Sequence, residues 1–217
     1  LIVAIFPMAD ALKTIDDPWL RGTLEAFLTA AIPEEILKLG VLFALVVESR
    51  DLRAPIDGMI FGAAASLGFA TLENVLYVLD SGFGTAVLRA LTAVPAHAFS
   101  GALLGYFVAR YKAERDLSRL VVGALIVMLL HGIYDAPLLV SRAMNDGYSP
   151  SDAERNLLGV SIVVFTFGAL AVEIGWARRL LRQLRKAQAG PAARAGVAGR
   201  SGRRSCARSE ARSRWTT

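Results

Sequence analysis

Six ionisable residues of this chain lie inside long apolar stretches and are of types that can activate water: Glu34, Glu35, Glu73, His97, His131 and Asp135. Glu34 and Glu35 are adjacent, and Lys38 follows within one turn, in Pro33-Glu34-Glu35-Ile36-Leu37-Lys38. A charge at membrane depth costs at least about 2.5–3.5 kcal/mol on insertion scales, so such residues face a bundle interior or a cavity. Three charges this close together predict half of a catalytic centre, with other apolar segments supplying the rest.

The second segment carries Phe69-Ala70-Thr71-Leu72-Glu73-Asn74. Phe69 and Glu73 are one turn apart and share a helix face. Upstream, Gly58, Gly62 and Ser66 recur at every fourth position. Small residues at that spacing let helix backbones approach closely, and packing alone is enough to explain them. His97, Gly101 and Gly105 form a similar stripe on a third segment. A lone histidine on an apolar helix is usually a hydrogen-bonded core residue. On a fourth segment, His131 and Asp135 are one turn apart, so the carboxylate can orient the imidazole and fix its tautomer. A helix-pairing hydrogen bond is the plainer reading of that pair. What separates chemistry from packing is depth. At 1.5 Å per residue all these groups fall in the central-to-outer half of their spans. Glu25 and Arg89 fall near the outer ends, where Arg89 is expected to snorkel to water. Glu173 falls near the inner end of its span, within reach of water or Arg178.

The sequence has no Gly-x-Ser-x-Gly, no phosphate loop and one cysteine, Cys206, in a basic tail. Carboxylates and imidazoles remain, and these activate water. A carboxylate desolvated in a bundle is a better general base, and Lys38 can hold the Glu34–Glu35 pair partly ionised. An imidazole can donate to a developing oxyanion or protonate a leaving amine. Peptide-bond hydrolysis within or beside the membrane is the natural reaction. Either no cofactor is needed, or His97, His131 and Glu73 bind Zn²⁺, although the His-Glu-x-x-His spacing is absent.

The elements that must carry these residues are apolar helices. Of 217 residues, 54% are hydrophobic, and the mean hydropathy is +0.47. Such a chain is too apolar for an ordinary soluble domain. The expected fold is all-α: a polytopic transmembrane helix bundle with five full spans at 21–48, 57–79, 85–109, 120–140 and 156–176. The apolar run 1–8 is too short to span and reads as the end of a truncated helix. Pro33 is expected to kink the first span. Basic loops after spans one, three and five alternate with neutral or acidic ones, which puts the basic loops on the cytoplasmic side. The expected organisation is a membrane-embedded domain over 1–184 and a disordered, basic, cytoplasmic tail over 185–217. The arginines of that tail suit anionic lipid head groups, and no nucleic-acid partner is expected.

Taken together, Glu34-Glu35-x-x-Lys38, Phe69-x-x-x-Glu73-Asn74, His97 and His131-x-x-x-Asp135 resemble the successive motifs of the PrsW family of intramembrane proteases, relatives of type II CAAX prenyl endopeptidases and the bacterial ABI proteins. The resemblance covers Pro33 to Asp135, with each motif on its own span. It implies an integral protein of a bacterial inner membrane that cleaves a membrane-anchored protein such as an anti-sigma factor. It implies that Glu34 and Glu35, with Glu73, activate water and that His131 helps stabilise the oxyanion; both glutamates can pair with Lys38, and family order favours Glu34 over Glu35 as the base. Lys38, Phe69 and Asn74 are the supporting residues. Two other readings stand beside it: a proton-coupled transporter, for which no internal repeat is present, and a non-catalytic scaffold whose polar residues only join helices.

Overall fold

The computed structural model describes residues 2–186, with side chains described from Pro7 onward and those of Asp80, Ser81, Thr85 and Ala86 left aside. The basic tail and Cys206 therefore lie outside the described residues. The described residues up to 177 form one compact unit, and residues 178–186 are helical. No strand occurs among the described residues, so the all-helical expectation holds.

A short helix α1, Ile2–Leu12, precedes the first long segment. That segment starts with α2, Pro18–Glu25, whose N-terminal amides are capped by the Asp17 carboxylate at Trp19 and Leu20. A wider π-helical turn follows at Ala26–Ala31, then α3 at Ile32–Val41, then a second such turn at Leu42–Val46. Before Pro33 the helix departs from regular α geometry. Proline lacks an N–H and its ring crowds the preceding turn. The preceding turn is widened, with the Ile32 N–H donating to the Phe27 carbonyl five residues back.

The next helices are α4 (Pro55–Ser81), α5 (Phe83–Leu91), α6 (Ala93–Glu114) and α7 (Leu117–Asn145). The last is α8, Asp152–Ser161, which passes through a third π-helical turn at Ile162–Thr166 and runs on as helix to Lys186. Three helical stretches, Pro55–Leu79, Leu117–Asn145 and Asp152–Lys186, are long and apolar enough to cross a membrane. The segment expected as a continuous third span is divided. Gly82 adopts φ +82° and Thr92 leaves helical geometry at φ −122°, so α5 is a separate short helix between α4 and α6.

Large apolar side chains cover the outside of the bundle: Leu72, Leu76 and Leu79 on α4, Val122 and Leu125 on α7, Val163 on α8. In water such a surface would be a liability; against lipid it needs no partner. The interior instead joins small residues and a compact apolar cluster around Leu42, Leu104, Phe107, Val108 and Ala124.

The contact between α4 and α6 positions the site. A Cβ added at Gly62 would fall on the backbone of Gly101 and Gly105, and one at Gly105 would fall on the backbone of Gly58. Ser66 is fully buried and meets Gly101. The two stripes seen in the sequence are therefore the two halves of one antiparallel seam. Its register pairs 58 with 105, then 62 and 66 with 101. One to two turns further on, the same register brings Phe69 and Glu73 beside His97.

Candidate active site

Glu34 and Glu35 leave α3 in different directions, because adjacent helical residues point about 100° apart at 3.6 residues per turn. Glu35 faces inward and is fully buried. Its Oε1 accepts from Lys38 Nζ at 2.6 Å and faces His131 Nδ1 at 2.9 Å. Glu34 faces a cavity of about 540 Å³, and its Oε2, also buried, has no hydrogen-bond partner. Lys38 Nζ lies 3.7 Å from that oxygen. It also donates to His97 Nδ1 at 3.0 Å and sits 5.3 Å from the centre of the Phe69 ring.

An ammonium has donors only. His97 Nδ1 must therefore present its lone pair to Lys38, which leaves the proton on Nε2. Nε2 lies 2.8 Å from Glu73 Oε2. His131 sits edge-on to His97 with ring centres 5.5 Å apart. Its Nε2 is 3.0 Å from Asp135 Oδ2 and 3.8 Å from Glu34 Oε2. Both nitrogens of His131 thus face carboxylates. The result is an unbroken polar chain, Glu73–His97–Lys38–Glu35–His131–Asp135, with Glu34 alongside it. Glu34, Glu73, His97, His131 and Asp135 all line the same cavity.

All six candidate residues from the sequence are brought together, and the supporting three take distinct places. Lys38 is the central cation, and Phe69 covers it. Asn74 does not touch the acid–imidazole chain; its Oδ1 accepts from Arg89 Nε at 2.8 Å. Arg89 itself departs from expectation. It does not run to water but turns onto Glu73, with Nη2 2.9 Å from Oε2. The break at Thr92 allows this, because α5 is free to lie against α4, and the sunken carboxylate supplies the partner. Of the two surroundings expected for Glu173, water is removed: the residue is 3% exposed. Tyr134 was not singled out in the sequence, yet it lines the cavity, and its buried hydroxyl has no partner.

The donors fit a divalent cation. Glu34, Glu73 and His97 each offer a ligand atom, all within 4.8 Å of one another, and the orphaned oxygen of Glu34 is the kind of group a cation would satisfy. Two carboxylates and an imidazole suit Zn²⁺. Glu34 takes the place that the sequence reading assigned to His131, whose nitrogens are held by Glu35 and Asp135. Ligation through His97 Nε2 requires that atom to give up its proton.

Fold and site together define a helical integral membrane protein with a buried centre of acids and imidazoles. A family model described as "PrsW family intramembrane metalloprotease" matches residues 2–174. The chain belongs to that family. Among curated relatives, Protease PrsW of Geobacillus kaustophilus is 40% identical over 117 residues, 53% of this chain and 52% of the relative. Protease PrsW of Bacillus subtilis is 37% identical over 139 residues, 62% of this chain and 64% of the relative. Protease PrsW of Clostridioides difficile is 30% identical over 123 residues, 53% of this chain and 52% of the relative. The chain thus spans about half the length of most of the curated relatives it matches. No solved structure matches it.

Proposed function

We propose that this chain is an intramembrane endopeptidase that hydrolyses a peptide bond of a membrane-anchored protein, an anti-sigma factor being the family's implied substrate. The observation that carries the proposal is that Glu34, Glu73, His97 and His131, from separate helical segments, line one cavity. Five spans and a cytoplasmic basic tail are part of the same reading.

Glu34 is the general base in this reading. It has the unpartnered buried oxygen, whereas Glu35 is held by Lys38 and His131. A water between Glu34 and Glu73 gives its proton to Glu34 as its oxygen bonds to the scissile carbon. The tetrahedral oxyanion then collapses, the C–N bond breaks, and the amine leaves with a proton. His131, 3.8 Å from Glu34 and braced by Asp135 and Glu35, is placed to pass that proton on. Where a divalent cation is held by Glu34, Glu73 and His97, Glu34 would serve as a ligand and not as the base, and the cation would supply Lewis-acid polarisation and lower the pKa of water.

A continuous polar chain also suits a proton pathway. Both its ends, Glu73 and Asp135, lie on the same cavity. A proton carried along it returns to the space it left, which suits hydrolysis and not transport.

The test is cleavage of a tagged single-span membrane protein in cells. Wild type is expected to cut it, and Glu34→Ala and His131→Ala to lose the cut while still inserting into the membrane. Wild-type cleavage by either variant would refute the assignment.

A further inference from the structure

We infer that Arg89, carried by α5, is a positioning residue that holds Glu73 in its reactive place; this rests on the reading of Glu34 and Glu73 as the water-activating pair. Arg89 Nη2 is 2.9 Å from Glu73 Oε2, its Nε is 2.8 Å from Asn74 Oδ1, and its guanidinium carbon is 3.9 Å from the centre of the Tyr77 ring. These three partners lie within five positions of α4. The arginine is largely buried, with 16% of its side chain exposed. A planar guanidinium presents its hydrogen bonds in a fixed fork and stacks flat on an aromatic face, whereas an ammonium is a point charge with freely rotating donors and no plane to stack.

The need for such a group follows from the charges. Glu34 and Glu73 approach each other closely enough to share a cation, and two like charges that near repel. Lys38 compensates the side of Glu34 and Glu35. Arg89 compensates the side of Glu73. Arg89 and His97 both contact Oε2 of Glu73, which fixes that oxygen and leaves Oε1 for water. Arg89 acts through Glu73 and touches no reacting atom. The short helix α5, which exists because the chain breaks at Gly82 and Thr92, is then part of the site.

The full chain is purified in detergent and assayed with the single-span reporter. Arg89→Ala is expected to lower kcat by about 10–100-fold, the usual cost of losing a group that orients a reactive one, with KM within about twofold of wild type. Added ethylguanidinium is expected to restore part of the rate, and Arg89→Lys to keep an intermediate rate. In a Glu73→Gln background, Arg89→Ala is expected to cost nothing more. Wild-type kcat in Arg89→Ala, a rise confined to KM, or additive losses in the double variant would each overturn the inference. A second readout is independent of cleavage: the Arg89→Ala and Glu73→Gln shifts in Tm are expected to be non-additive. If the wild-type chain does not cleave the reporter, the peptidase reading fails, and if Glu34→Ala cleaves like wild type, the water-activating assignment fails; in either case the Tm cycle still decides whether Arg89 and Glu73 act as a unit.

Discussion

Glu73 Oε2 and His97 Nε2 meet at 2.8 Å across two antiparallel helices, and the glycines one to three turns away decide that they do. Wherever Gly62 and Gly101 touch, backbone lies on backbone. The seam is the ruler that sets the distance between the two reactive groups.

Gly62→Val should therefore damage both stability and cleavage. A branched side chain forced against backbone costs about 1–3 kcal/mol or more, and it moves Glu73 away from His97. Gly68→Ala is the matched control on the same helix, since nothing lies within 4 Å of a Cβ there. It should leave Tm unchanged or raise it slightly, because alanine is the better helix former by about 1 kcal/mol. Thermal unfolding in detergent together with reporter cleavage measures both. A fully active Gly62→Val protein would remove the seam from the account of the site.

The adjacent glutamates should separate by phenotype. Glu35 is fully buried between Lys38 and His131. Removing one partner of a buried ion pair costs about 3–5 kcal/mol, because the other charge stays behind. Glu35→Ala is thus expected to unfold far more easily than wild type. Glu34 faces the cavity with one oxygen unpartnered, so Glu34→Gln should keep its Tm and lose turnover. Equal losses of Tm in the two variants would mean that their roles are not divided.

The reach of the sequence can be judged from the same residues. Apolar length identified the helices, and the four-residue spacing of Gly58, Gly62 and Ser66 marked a close contact. The spacing did not say which helix lies opposite; only the matching stripe of His97, Gly101 and Gly105 suggests it. Arg89 does not follow the usual pattern, in which an arginine near a span end is drawn to water. Its true setting depends on a break at Thr92 that leaves no signal in hydropathy, since both flanks are apolar. The burial of Glu173 is hidden for a related reason: position along a helix gives depth, but not which face is covered. The division between Glu34 and Glu35 was also hidden. Both can reach Lys38 along the helix, and only the placement of His131 against Glu35 separates them.

Cation binding gives a test that does not depend on turnover. Co²⁺, followed by its visible absorption, should bind through Glu34, Glu73 and His97, whose ligand atoms lie within 4.8 Å of one another. Glu73→Gln and His97→Ala should each weaken binding at least about tenfold, whereas the effect of His131→Ala should be smaller because it touches only neighbouring groups. Unchanged affinity in both ligand variants would place any bound ion elsewhere.

His131 and Asp135 provide the sharpest contrast between chemistry and packing. His131 Nδ1 is held by Glu35 at 2.9 Å and Nε2 faces Asp135 at 3.0 Å. If Asp135 only ties the helix together, Asp135→Asn, which keeps shape and hydrogen-bonding capacity, should change Tm little and turnover little. If the carboxylate sets the charge and tautomer of the imidazole, the same variant should keep its Tm and lose about 10–100-fold in kcat. The second outcome is expected, because Asp135 also lines the cavity and is not sealed in the core. A carboxylate used only to pair helices has no reason to stand at the wall where substrate must enter. Parallel measurement of unfolding and of reporter cleavage for Asp135→Asn decides between the two, and an unaltered kcat would confine His131 and Asp135 to a structural part.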